Sequence, residues 1–142
     1  MNLFNIERAF KTKAERGWHT LYVAVDAHGV LIKPYHHCIE FYPEAIEVMM
    51  WFNSRPDFKV ILWTSSHAKD IKNMLVNLKL SGVTIDFVNC NPLEANSERA
   101  CFDRKFYFNI LLDDKAGFEP ETDWKSIKQE LIRIGEWDKY GK

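Results

Sequence analysis

The sequence predicts an α/β protein: a small three-layer sandwich on a mostly parallel, Rossmann-like sheet. Four short apolar runs support this prediction, and stretches with helical periodicity separate them; the runs cover residues 21–25, 60–63, 83–88 and 106–112. Strands that alternate with helices usually form a parallel sheet. The first run is apolar on both faces, which is typical of a strand covered by other elements on both sides.

The chain length fits one domain spanning residues 1–142. A chain of this size buries roughly 70% of the surface that it exposes when unfolded, so it needs no disulfide or zinc to hold a core. Residues 1–19 are expected to form an N-terminal helical extension, whose helix stops at Gly17. Residues 30–42 are expected to form a short hairpin or flap. No insertion is long enough to be a large cap.

Three further helices are expected between and after the strands. Pro43 suits a first helical turn because it lacks a donor where none is needed, and this helix should run to about residue 53. Ser65 or Ser66 is expected to cap a helix over 67–80, and the last helix should run from about 122 to 134.

The overall charge gives no reason to expect a polyanionic partner. With 19 basic and 20 acidic residues, the chain has no global field that would favour nucleic acid or an anionic membrane, although a local basic patch would still be compatible with it. The three cysteines have no Cys-x-x-Cys spacing, which favours reduced thiols and a cytoplasmic location. No apolar run is long enough to cross a membrane. Adjacent side chains of 36–38 would point to opposite faces of a strand, which argues against zinc there.

A polar residue follows each apolar run at the point where the predicted strand ends. These residues are Asp26, Thr64, Asn89 and the pair Asp113-Asp114. Because parallel strands place their carboxyl ends at one edge of the sheet, three carboxylates and a hydroxyl should share one crevice. Carboxylate oxygens are ligands that Mg²⁺ prefers, and Mg²⁺ also binds substrate phosphate. The pattern therefore predicts a metal and phosphate site.

In order and strand context, these residues resemble the motifs of the haloacid dehalogenase-like superfamily of phosphohydrolases. That family has an aspartate motif after its first strand, then a Ser or Thr, then a Lys, and finally an acidic pair. The matching positions here are Asp26-Ala27-His28-Gly29, Thr64, Lys105 and Asp113-Asp114. The resemblance covers about residues 20–132 and is nearest to small members without a cap. Each motif is weak alone, whereas the ordered set is fairly specific.

The resemblance implies a role for each of these positions. Asp26 would attack phosphorus and form an aspartyl-phosphate that water then hydrolyses. Mg²⁺ would be held by Asp26, the backbone carbonyl of His28, Asp114 and, directly or through water, Asp113. Thr64 would hydrogen-bond a phosphate oxygen. Lys105 would neutralise the phosphate, with Arg104 as a competing candidate.

His28 departs from the family pattern, which has a second aspartate at this position. Imidazole exchanges a proton near neutral pH, so His28 could replace that aspartate as the acid and base. Alternatively, His28 marks a site that has lost turnover. The sequence thus predicts a Mg²⁺-dependent phosphohydrolase, and the alternative is an impaired relative that binds a phosphorylated ligand or a protein partner. A receiver-like signalling domain fits less well, because its acidic pair follows the first strand.

An uncapped crevice would be covered only by the flap or by a second subunit. It would admit a bulky phosphorylated group, either a small molecule or a polymer end. Aromatic residues near the crevice could stack on a base or an aryl group. Trp63, however, is expected to belong to the core.

Overall fold

The computed structural model describes residues 6–34, 38–94 and 106–139. Four helices, four strands and two single-turn 3₁₀ helices follow one another there: α1 (Ile6–Arg16), β1 (Leu21–Asp26), α2 (Ala45–Ser54), β2 (Phe58–Trp63), α3 (Ala68–Leu80), β3 (Phe87–Val88), the 3₁₀ turn Pro92–Glu94, β4 (Ile110–Leu112), the 3₁₀ turn Asp114–Ala116, and α4 (Asp123–Arg133).

The four strands form one all-parallel sheet in the order β3-β2-β1-β4. β1 is central and pairs with β2 along its whole length, from Leu21 opposite Phe58 to Asp26 opposite Trp63. On its other side, Val25 lies opposite the last residue of β4. The architecture agrees with the predicted small three-layer, Rossmann-like sandwich, and the parallel arrangement is confirmed.

The main core lies between the sheet and the helices that pack on it. Alternate residues of β1 point into it: Leu21, Val23 and Val25. Apolar residues from all four helices pack against them: Ile6, Val48, Phe52, Met74, Leu78, Trp124, Ile127 and Leu131. Tyr22 and Ala24 are also buried, on the opposite face. Because side chains alternate along a strand, Asp26 projects on the side of Tyr22 and Ala24, at the carboxyl end of the strand.

The edge strands are shorter than the sequence predicts. β3 keeps only the last two residues of the expected strand over 83–88, and β4 only the last three of 106–112. In both cases the residue before the strand uses a polar side chain as the acceptor, while its main-chain amide still donates to the neighbouring strand. The Asp86 carboxylate accepts a hydrogen bond from an amide of β2 at 2.7 Å, and the Asn109 Oδ1 accepts one from an amide of β1 at 2.8 Å.

The segment after β1 folds into a tight turn that is fixed in the core. The Ala27 carbonyl accepts from the Leu31 and Ile32 amides at 2.9 and 3.0 Å, and Ile32 forms an antiparallel bridge with Phe41. We call residues 27–32 and 38–42 the hairpin base. Trp124 Nε1 donates to the Val30 carbonyl at 2.8 Å, in a fully buried setting. The predicted flap over 30–42 therefore begins with buried residues, and its positions 35–37 lie outside the described residues.

Helix ends agree with the expectations to within about two residues, but Pro43 is not in a first helical turn: α2 begins at Ala45, after Glu44 with a left-handed φ of 65°. α1 stops before Gly17, whose φ of 66° is in the left-handed region that favours glycine. The predicted cap of α3 is wrong: His67 occupies the N-cap, and Ser66 instead bonds to Thr64. None of the helices in the described part of the chain combines the length and apolar character that crossing a membrane requires.

Candidate metal and phosphate site

Three carboxylates meet at the carboxyl edge of the sheet. Asp26, Asp113 and Asp114 each offer an oxygen, and these three oxygens lie within 4.8 Å of one another. We call these residues the acidic cluster. The strand register explains their approach: Val25 pairs with Leu112, so the next residues along the two strands are Asp26 and Asp113. The structure thus brings Asp26 together with two carboxylates that follow it 87 and 88 positions later in the sequence.

The surroundings of Asp26 disfavour the ionised form of its carboxyl group. Partial burial raises the pKa of its carboxyl from 3.8 to about 6, and the nearby Asp113 and Asp114 act in the same direction. The Ala27 amide, which donates to Asp26 Oδ1 at 2.9 Å, opposes this shift. A carboxylate that is costly to ionise beside two others would be stabilised by a bound cation.

The turn at Gly29 and the main-chain amide of Lys115 lie against the carboxylates of the acidic cluster. A Cβ atom at Gly29 would lie 3.0 Å from Asp114 Oδ2, and Gly29 has a φ of 80°, so a side chain here would strain the turn after β1 and press on this carboxylate. The Lys115 amide donates to Asp113 Oδ1 at 2.9 Å and to Asp114 Oδ1 at 3.0 Å. Asp113 is only 8% exposed, while Asp114 is exposed to solvent.

Thr64 begins a loop that borders the acidic cluster and leads into α3. We call residues 64–67 the strand-end loop. Thr64 Oγ1 lies 3.0 Å from Ser66 Oγ and accepts from the Ser66 amide at 3.2 Å. Asn89 clamps the main chain of Thr64 on both sides: its Oδ1 accepts from the Thr64 amide at 2.8 Å, and its Nδ2 donates to the Thr64 carbonyl at 2.7 Å. Asn89 itself takes a left-handed φ of 54°, a conformation that asparagine tolerates well.

These elements enclose an open crevice of about 400 Å³. Its lining includes the acidic cluster, the first three residues of the strand-end loop, and three further side chains: His28, Trp63 and Lys115. His28 is exposed at its edge and forms a bridge with Ile32 in the hairpin base. The crevice therefore holds carboxylates that can bind a cation, hydroxyls that can bind an anion, and the imidazole of His28.

The predicted site residues largely come together, with one position untested. Asp26, His28, Thr64, Asp113 and Asp114 all line the crevice. Lys105 and Arg104 lie outside the described residues.

Sequence reasoning assigned no role to two residues of the site. Lys115 was visible as a cation directly after the acidic pair, and it lines the crevice. Asn89 was visible as the polar end of a strand, but only the fold shows that it holds Thr64. Sequence reasoning also placed Trp63 in the core, and this is wrong: its side chain is 42% exposed and lines the crevice.

The acidic cluster fits a hard divalent cation such as Mg²⁺. All three groups offer oxygen, which Mg²⁺ prefers, and one carboxylate faces solvent, so that water and substrate could complete the coordination. Among the residues that the structure describes, this cluster contains no thiolate or other ligand that soft metals prefer. The donor chemistry therefore suits the metal that the sequence predicts.

Comparison with known proteins supports the fold. No family model matches the sequence, and no curated protein matches it significantly. A solved structure of a conserved protein from Bacteroides thetaiotaomicron matches with a TM-score of 0.59 and 22% sequence identity, over 81% of this chain and 91% of that protein. At this identity the likeness shows that the two chains share a fold, an α/β architecture with a parallel sheet.

Proposed function

We propose that this protein is a Mg²⁺-dependent phosphomonoesterase of the haloacid dehalogenase-like superfamily that works through Asp26. The convergence of the acidic cluster at the carboxyl edge of a parallel sheet carries the proposal. The neighbouring strand-end loop supports it, because Thr64, Ser65 and Ser66 line the crevice and their hydroxyls can bind a phosphate oxygen. Substrate phosphate would lie between the acidic cluster and Thr64.

Asp26 is the nucleophile of the proposed reaction. Its carboxylate oxygen attacks phosphorus, the phosphorus–ester oxygen bond breaks, and the alcohol leaves with a proton from an acid. Water then attacks the aspartyl-phosphate, the phosphorus–Asp26 bond breaks, and phosphate and free carboxylate are released. Since the pKa of Asp26 is about 6 in the metal-free protein, most of the carboxyl is ionised and able to attack at pH 7.5.

As predicted from the sequence, Mg²⁺ would be held by Asp26, by Asp114, by the backbone carbonyl of His28 and, directly or through water, by Asp113. When bound, it would screen the charge between two anions and stabilise negative charge on the phosphoryl oxygens. The main-chain ligand does not depend on the side chain at position 28, so histidine there is compatible with the metal.

His28 is the proposed acid for the leaving alcohol and the base for water. It lines the crevice that holds Asp26, and it is exposed, so a substrate oxygen can reach it. The same replacement of an expected aspartate motivates a second candidate, a protein that binds a phosphorylated ligand or a protein partner without turnover. A cytoplasmic location fits both candidates and is part of the proposal.

A phosphomonoester panel with and without Mg²⁺ tests the proposal. Wild type should release phosphate only with Mg²⁺, and Asp26→Asn should lose roughly a thousandfold or more in kcat, since it removes the nucleophile. Mass spectrometry of acid-quenched wild type should find phosphate on the peptide that contains Asp26. Asp138→Asn removes the same charge from an exposed position and should keep full activity.

His28→Asp separates the two candidates. If His28 is the acid and base, this variant should bind Mg²⁺ as wild type does and show a shifted pH profile. A silent wild type with an active His28→Asp variant would identify the binding protein instead. Activity that survives Asp26→Asn would refute the proposed chemistry.

A further inference from the structure

Trp63 is an exposed aromatic residue at the carboxyl end of β2. It ends β2, and its side chain is 42% exposed. Other large apolar side chains are exposed in the described residues, but none of them is aromatic and none lines the crevice: Met50, Val76, Leu80, Leu93 and Ile132. Single exposed apolar residues are normal on a surface, so the location of Trp63 is the informative observation.

The sheet register places Trp63 next to the proposed nucleophile. Trp63 is the register partner of Asp26, so the two residues lie side by side on neighbouring strands, about 4.8 Å apart along the sheet. Partners in a parallel pair project on the same face, and both side chains line the crevice. Asp26 therefore has Asp113 on one side and the indole of Trp63 on the other.

A second ring supports the indole. Phe106 lies 5.2 Å from Trp63 between ring centroids, at an interplanar angle of 60°, and Phe108 packs edge-on against Phe106 at 5.9 Å. Such contacts restrict the indole without enclosing it. An indole that is held from one side and open to a polar crevice is a surface for stacking.

We propose that Trp63 selects phosphomonoesters whose leaving group carries a flat aromatic ring. This inference rests on the proposed function, because it needs the phosphoryl group to lie at Asp26. With phosphorus there, a ring attached to the ester oxygen lies within stacking range of the neighbouring strand. Two sources provide this chemistry: an aryl monoester, with the ring directly on the ester oxygen, and a nucleotide, with a sugar between them.

Phosphonates measure the stacking without turnover. Calorimetry with Mg²⁺ would compare phenylphosphonate, which carries a ring, with methylphosphonate, which does not. Stacking of a base on an aromatic side chain contributes about 1–3 kcal/mol, so Trp63→Ala should weaken phenylphosphonate binding roughly 5- to 150-fold. The affinity for methylphosphonate should stay within about twofold.

Three variants separate ring stacking from apolar bulk and from general damage. Trp63→Phe keeps a ring and should keep most of the preference for phenylphosphonate. Trp63→Leu keeps apolar bulk without a ring and should lose it. Trp18→Ala makes the same truncation at a partly buried tryptophan that precedes β1, at the opposite edge of the sheet, and should leave both affinities unchanged.

Substrate kinetics then identify the source of the ring. With phenyl phosphate, adenosine monophosphate and glycerol phosphate, Trp63→Ala should raise KM for at least one of the two ring-bearing esters and not for glycerol phosphate. An equal loss for ring-bearing and ringless ligands, or a preference that survives Trp63→Leu, would overturn the inference. If wild type hydrolyses no ester, the proposed function fails, while Trp63-dependent phosphonate binding would still support the inference.

Discussion

Asp26→Asn should make the metal-free protein more stable, although it removes the proposed nucleophile. The folded state raises the pKa of Asp26 from 3.8 to about 6, mainly by burial and then by the charges of Asp113 and Asp114. The folded state therefore binds this proton more tightly than the unfolded state does. The stabilising contribution is complete below about pH 4 and is lost as pH rises through about 6.

The size of the effect follows from the pKa shift. The rise of the Asp26 pKa from 3.8 to about 6 corresponds to about 3 kcal/mol as an upper limit. Because Asp26 is only partly buried, solvent screening reduces this to roughly 1–1.5 kcal/mol. For a domain of this size, that free energy raises Tm by about 3–7 °C. The asparagine can still accept from the Ala27 amide, so the local geometry should be kept.

Thermal unfolding in a chelator at pH 7.5 and pH 5 measures this effect. Asp26→Asn should melt above wild type at pH 7.5, with a smaller difference at pH 5. Asp138→Asn should stay within about 0.5 kcal/mol of wild type at both values. Mg²⁺ should then reverse the order, since a ligand at 100 times its Kd stabilises by about 2.7 kcal/mol and the variant lacks one of its ligands. A wild type that melts higher in chelator, or a gain independent of pH, would refute the electrostatic reasoning.

The other predictions concern the supports of the site. Gly29→Ala should lower the stability by about 1–2 kcal/mol, and calorimetry should show weaker Mg²⁺ binding. Gly135 has a similar φ of 79° but no atom within 4 Å of an added Cβ, so Gly135→Ala should cost only the backbone strain and leave Mg²⁺ binding unchanged. Asn89→Ala should lower Tm and weaken binding of inorganic phosphate, because it removes the two hydrogen bonds that hold Thr64 in the strand-end loop. Asn53→Ala removes an equivalent pair of hydrogen bonds to Thr84 on a distant loop and should lower only Tm. Trp124→Phe should lower the stability by about 1–3 kcal/mol in denaturant unfolding, since a buried carbonyl of the hairpin base loses its donor.

The order of helices and parallel strands could be predicted because it depends on local periodicity. β1 is apolar at every position from Leu21 to Val25, and in an α/β chain this pattern indicates a central strand that is buried on both faces. The lengths of the edge strands could not be predicted, because Asp86 and Asn109 lie inside otherwise apolar runs and nothing local shows where strand pairing begins. Only the fold shows that their side chains accept hydrogen bonds from the neighbouring strands.

For the candidate site too, some features follow from the sequence and others only from the tertiary structure. The sequence alone determined which polar residues follow the strands, since chain order and apolar runs specify them, and parallel pairing then requires their convergence. Only the tertiary structure decided which residues lie beside Asp26: register places Trp63 on one side and Asp113 on the other. It also decided that Trp63 faces the crevice instead of the core. Burial and lateral neighbours depend on packing between distant segments, and packing has no local pattern in the chain.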